Sequence, residues 1–373
     1  MDNKTISLKD AVVSQDLEEH PKKRRSLEFI EGVGLVFLGL ALITLFFYPG
    51  TLAGAFDSVL NTAKPVVVDV FLTGSVGVAV IISVIIGRLL ERLGFTDAMM
   101  RVFMPTMRFI GVNPAVIIPS VYNIFGDINA AGRISGPLLK RAGATKDEQK
   151  LAVATMVQSQ QSFSTFMLGM MALNFAGVHV FAVVVVAIFA PLIISPFILS
   201  RFIYRDVKPV DLLSAPRFTP TEDFAPTLFK AAREGVELLI LVLIPAVALV
   251  FCCIGLLDYI GVWQPISDFL ERGLLAVNIH PETGVLAILV SPTLAMGQLQ
   301  AIASTVDPSL VVGSFVLASS GLPLSSLFGQ IPVVWAENSD LTEKEAMGAA
   351  VLGIVMRLIT AVLLAVFLTP LIV

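Results

Sequence analysis

Between Asn123 and Arg133 the chain places Asn123, Asp127, Asn129 and Arg133 among glycines and apolar residues. A carboxylate and a guanidinium six positions apart can pair and fix a turn, or Asp127 can serve as the carboxylate for a coupling ion or a substrate. A second group follows at Gln158-Ser159-Gln160-Gln161-Ser162-Phe163-Ser164-Thr165. Amides and hydroxyls offer donors and acceptors without fixed charge, which suits a neutral solute with many polar groups. The same residue types also hold membrane helices together. Gln158, Gln161 and Ser162 are spaced by three and four, the spacing that puts side chains on one helix face. Two further polar groups lie downstream: Ser291-Pro292-Thr293 with Gln298, and Ser319-Ser320 with Ser325-Ser326 and Gln330. Asn113, just before Pro114, completes the candidate binding residues.

These residues sit in a chain that water could not cover. Of 373 residues 56% are hydrophobic and only 14% charged, with a net charge of -4; the mean hydropathy is +0.86. A soluble domain carries roughly 25% charged residues. Apolar runs of about 20 residues, the length that crosses a bilayer, recur along the chain. Seven full spans are expected, near 29–49, 66–88, 149–175, 178–203, 235–257, 309–334 and 346–373. Stretches 113–139 and 281–304 are apolar but crowded with Pro, Gly and polar residues. Straight helices in lipid do not carry such a density of breakers, so each is predicted to be a re-entrant hairpin of two half-helices.

Charge gives the sidedness. The block Lys22-Lys23-Arg24-Arg25 precedes the first apolar run, Phe29 to Tyr48, and reads as a cytoplasmic anchor rather than a signal peptide or a nucleic-acid patch. From a cytoplasmic N-terminus, basic residues from Arg88 to Arg108, Lys140 to Lys150, Arg201 to Arg233, and Lys344 all fall inside. Lys64 and Arg272 fall outside, and the C-terminus ends outside. Arg357 lies within the last span and is expected to snorkel toward the cytoplasm. His280 is expected at the interface beside Glu282. The two cysteines, Cys252 and Cys253, read as buried, unbridged thiols, since helix neighbours point about 100° apart.

The same order of parts occurs twice. Residues 66–203 give a span, an amphipathic stretch, a broken hairpin and two spans; residues 235–373 give them again. The words Gly111-Val112-Asn113-Pro114 and Val277-Asn278-Ile279-His280-Pro281 hold equivalent places. Three spans per copy turn the second copy upside down. The expected fold is therefore an all-α polytopic membrane protein of two inverted repeats, each with three spans and a re-entrant hairpin, plus one N-terminal span. Its parts are a cytoplasmic tail 1–26, a first helix with its outer connection 27–65, repeats 66–203 and 235–373, and a cytoplasmic linker 204–234.

The doubled hairpin words, the Gly126-Asp127-Ile128-Asn129 tip and the Ser/Gln-rich helix resemble the nucleoside-recognition, or Gate domain, membrane proteins over about 66–373. That group includes spore-maturation-like proteins and the permease core of ferrous iron transporters, and is distantly similar to concentrative nucleoside transporters. The resemblance implies two inverted Gate modules with solute movement at their hairpins. Neither hairpin carries a cysteine for a soft metal, unlike what an iron path would use. No Ser/His/Asp spacing, metalloprotease helix or phosphate loop points to an enzyme. The expected function is a secondary transporter in the cytoplasmic membrane for a nucleoside-like or other small polar solute. Asp127 is the candidate for Na+ or H+ coupling, and neither a resident metal nor another cofactor is expected. The alternative is a scaffold or ligand sensor of the same fold. Expected partners are the lipid bilayer and the solute, with no nucleic acid; a homo-oligomer is compatible with the sequence.

Overall fold

The computed structural model describes residues 29–125, 128–159, 162–208, 217, 219–320 and 323–373, apart from the side chains of Ser75 and Asn129. The described residues form helices and no strand. The chain divides into two compact units, Met1–Ala55 and Phe56–Val373.

In the first unit, α1 (Phe29–Phe47) has no buried residue. It is apolar all round, the pattern of a helix whose surroundings are lipid. The next helix, α2 (Pro49–Lys64), continues into a π turn at Pro65–Leu72, so the stretch read as an outer connection is helical.

The rest of the second unit unfolds in chain order. It holds α3 (Ser75–Arg92) and the amphipathic α4 (Phe95–Phe109). Then come α5 (Pro114–Phe125) and α6 (Ile128–Arg141), α7 (Lys146–Gln158) and α8 (Phe163–Phe175), and α9 (Val180–Phe202). Its second half begins with α10 (Phe224–Tyr259), which starts inside the stretch 204–234 read as linker. It continues with α11 (Trp263–Ala276), α12 (Pro281–Leu289), α13 (Pro292–Ile302) and α14 (Pro308–Ala318). A π turn at Ser326–Gln330 leads into α15 (Ile331–Asn338), and α16 (Glu343–Ile372) ends the chain.

Among the described residues, four helices are long and apolar enough to cross a membrane: α1, α9, α10 and α16. All-helical in its described residues, the chain is by this measure a multi-pass membrane protein. Three of the seven expected spans differ. The one near 66–88 meets the preceding helix at a 46° bend. Those near 149–175 and 309–334 are each broken in the middle, for a reason written in the residues. Ser159 turns extended after α7, and its Oγ donates to Met156 O at 2.7 Å. Ser162 has φ 57°, and its Oγ accepts from the N–H of Thr165 at 3.3 Å, capping α8. In the second break Ser319 and Ser320 bond back to the carbonyls of Val316 and Leu317, and Pro323 supplies no N–H to carry the ladder on. Hydroxyls that compete for backbone groups favour caps over helix interiors.

The turns before Pro114 and Pro281 have the same build. Gly111 (φ 82°) and Asn278 (φ 56°) take the left-handed conformation. Val112 N–H donates to Met107 O and Ile279 N–H to Leu274 O, both at 3.0 Å. This is the closing bond of a helix C-terminus of Schellman type.

The core runs through the broken helices. Every residue of α7 from Leu151 to Gln158 is buried, as is every residue of α14 from Val311 to Ala318. A helix apolar on all faces is placed inside rather than at an edge. Glycines allow close approach: a Cβ on Gly353 of α16 would stand 2.5 Å from Ala154 O of α7. The short helices of the two halves pack on one another. Gly132 and Gly136 of α6 lie against Val334, Trp335 and Asn338 of α15, while Gly169 of α8 lies against Met296 of α13 and Phe315. Outward faces of α9, α10 and α16 present Phe181, Leu241, Leu249, Ile359 and Phe367, all exposed. Cys252 is half-buried and Cys253 exposed on α10, so these thiols are unbridged as expected but not buried.

Candidate functional site

At the first break three interruptions of the backbone meet. Ser162 N–H donates to Asn123 O, near the end of α5, at 3.0 Å. Ser162 Oγ stands 2.8 Å from Thr165 Oγ1. Thr165 Oγ1 in turn stands 3.1 Å from Thr293 Oγ1, in the first turn of α13. One hydrogen-bonded chain thus runs from the end of α5, through the break between α7 and α8, to the first turn of α13. Around it Asn123, Thr165 and Thr293 are buried, and Phe163 stacks on Phe125 with ring centroids 6.0 Å apart.

The end of α5 and the start of α13 carry the same kind of side chain. Asn123 Nδ2 donates to Met156 O at 3.4 Å, while Asn123 Oδ1 and Ser120 Oγ, one turn earlier, are buried with no partner among the described residues. An unmade hydrogen bond at a buried acceptor costs about 1–3 kcal/mol, so such groups mark places where polarity is held for something. Ser291 caps α13, accepting from the N–H of Leu294 at 3.1 Å, with Pro292 at the first helical position.

The remaining sequence candidates scatter. Asp127 and Gln161 lie outside the described residues, as does the side chain of Asn129; the proposed pairing of Asp127 with Arg133 therefore falls there too. Gln158 and Ser162 do not share a face of one continuous helix, because α7 ends at Gln158. Gln158 is buried; its Nε2 donates to Thr360 Oγ1 at 3.2 Å and its Oε1 accepts from Ser195 Oγ. Asn113 stands at the base of the first hairpin. Its Oδ1 accepts from the N–H of Ala115 at 3.0 Å and its Nδ2 donates to Ala142 O at 2.9 Å. Gln298 donates to Glu282 Oε2 at 2.9 Å, near the base of the second hairpin rather than its tip. In the second break Ser320 is fully buried, whereas Ser325 and Gln330 are exposed.

Sequence reasoning missed the setting of two residues and one contact. Arg357 does not snorkel: it is fully buried, donating from Nε to Val316 O, from Nη1 to Ala187 O and from Nη2 to Ser319 Oγ at 2.9 Å. Its long distance from both ends of a 30-residue helix was the available signal. Glu148 is fully buried and accepts three main-chain N–H groups, from Asn113, Thr145 and Lys208, each at 2.9 Å. The spacing Thr145-x-x-Glu148 is a helix-capping signature that could have flagged it. The contact is that of Thr165 with Thr293, both named as polar candidates but not as neighbours, since no spacing predicts it.

A further polar layer closes one end of the helices. Lys140 pairs with Asp340, and Lys146 and Lys150 with Glu345, each at 3.6 Å. Gln149 Nε2 donates to Asp340 Oδ2 at 2.9 Å, and Asp206 N–H to Asp147 Oδ2 at 3.2 Å. The loops after α6, α9 and α15 thereby gather at one end. Compared with known proteins, the chain matches no family model, no curated protein and no solved structure.

Proposed function

We propose that this chain is a secondary transporter that moves a nucleoside-like or other small polar solute across the membrane at its two hairpins. The observation that carries the reading is the chain Asn123–Ser162–Thr165–Thr293, where two hairpins and a broken helix meet among buried residues. Broken helices expose N–H and C=O groups inside the protein, and such groups bind polar solutes and ions in many carriers. The buried acceptors Asn123 Oδ1 and Ser120 Oγ extend that polar lining.

In this reading the second unit is built from two inverted repeats of the Gate type. The matching turns at Gly111 and Asn278 support it, as do the reciprocal packing of α6 on α15 and of α13 on α8, and the breaks in equivalent helices. The N-terminus and the basic loops face the cytoplasm, and the C-terminus faces outside. The clustering of Lys140, Lys146 and Lys150 with the loop before α16 fits that arrangement, since Lys and Arg concentrate on the cytoplasmic side. Asp127 remains the candidate carboxylate for Na+ or H+ coupling.

Purified protein in proteoliposomes, given a panel of labelled nucleosides and other small polar solutes, tests the reading. Accumulation of at least one solute above empty liposomes is expected. Specific solute binding with no uptake under any imposed gradient would replace the carrier by a sensor.

A further inference from the structure

Arg357 lies roughly 20 Å along α16 from its start at about 1.5 Å per residue, near the middle of a helix long and apolar enough to cross a membrane. It is fully buried, and its partners are two main-chain carbonyls and one hydroxyl; none is a carboxylate. Two of these partners belong to the end of α14. Val316 O is in the last turn of that helix and Ser319 is its C-cap, where the second break begins. The third, Ala187 O, lies in the π turn Val185–Phe189 of α9, where the regular ladder is interrupted. A helix C-terminus carries about half a unit of negative charge, and the carbonyls there lack intrahelical donors. The guanidinium therefore rests against two oxygens at the negative end of α14 and a third in the π turn of α9.

In ion-coupled carriers that position, the C-terminal end of a half-helix with its unwound carbonyls, is where a bound cation sits. We propose that Arg357 is a tethered cation that takes the place of a bound ion at the second break. The negative end of α14 is neutralised permanently, so no Na+ need bind there. Any ion coupling is confined to the first break and its hairpin. This inference rests on the transport reading for its functional meaning, but the charge requirement itself does not.

The geometry gives a direct test. Arg357→Ala leaves a polar hole that guanidinium ion fits, and urea has the same planar shape without the charge. In lipid nanodiscs, the melting temperature of Arg357→Ala should fall by several degrees. Guanidinium at low millimolar concentration should restore at least half of the loss, with equal urea restoring little. If urea matches guanidinium, or if neither acts on a folded variant, the tethered-cation assignment is overturned. Should Arg357→Ala fail to fold, Arg357→Lys against Arg357→Met decides: the charged variant must melt higher, and equal melting overturns the proposal. In proteoliposomes, guanidinium should also raise the uptake of Arg357→Ala severalfold, and urea should not. Absence of uptake by the unaltered protein would remove the transport reading while leaving the melting result to judge the charge.

Discussion

At the scale of single residues, the interior is organised by polar groups that satisfy backbone atoms more than one another. Glu148 is the plainest case. One carboxylate ties the entry to the first hairpin at Asn113, the cap of α7 at Thr145 and the loop after α9 at Lys208. Glutamine in its place would turn a donor toward N–H groups that need an acceptor, and hydrogen bonds to a charged group contribute about 1.5–3 kcal/mol each. Glu148→Gln should therefore destabilise the protein by about 2–4 kcal/mol, read as a lowered thermal transition in detergent; a shift near zero would mean that the three bonds are not made in the bilayer form. The sequence showed that Gln158 and Ser162 were unusual for an apolar segment but misjudged their use. A polar residue in a span announces a backbone irregularity or a contact, and composition does not say which. Gln158 proved to be bound to Ser195 and Thr360, whereas Ser162 caps a helix and reaches the first hairpin.

At the scale of elements, the helix breaks at the proline-rich stretches were legible and the breaks within the expected spans were not. Hairpin stretches announced themselves by Asn113-Pro114, Pro119 and Ser291-Pro292, residues whose backbone preferences end helices. The breaks at 159–162 and 319–323 contain mostly serines and glutamines, which hydropathy tolerates within a span, so a continuous helix was read through each. Their caps decide the matter through hydrogen bonds that spacing alone does not show. The placement of α7 against α16 depends on Gly353, whose missing side chain lets Ala154 O approach. An alanine there puts a Cβ at 2.5 Å from a carbonyl oxygen, so the helices must separate. Overpacking of this kind costs about 1–3 kcal/mol. Gly353→Ala should lower the thermal transition accordingly, whereas Gly348→Ala on the same helix, with open space around it, should leave it unchanged or slightly raised. Equal effects at both glycines would show that helix propensity rather than close approach governs α16.

At the scale of the whole molecule, composition alone gave the membrane class, because 14% charged residues cannot clothe a soluble surface of this size. The proposed inverted arrangement makes a prediction about sidedness. In a variant with Cys252 and Cys253 replaced by serine, a cysteine at Lys208 should react with a membrane-impermeant maleimide only from the cytoplasmic side, and one at Gln264 only from the outer side. Labelling of both from one face would dismiss the inversion. What the chain as a whole does at its centre turns on one contact, the pair Thr165 and Thr293 with hydroxyls 3.1 Å apart. If solute passes where the two hairpins meet the broken helix, these elements must move relative to one another. The decisive measurement is uptake into proteoliposomes by Thr165→Cys/Thr293→Cys in the same serine background, with disulfide formation quantified on the same sample. The account predicts uptake when the pair is reduced, loss of at least nine-tenths of it when the pair is oxidised, and recovery on re-reduction. Undiminished uptake with the disulfide fully formed would contradict it, because the meeting point of the two hairpins would then be rigid and no part of the path.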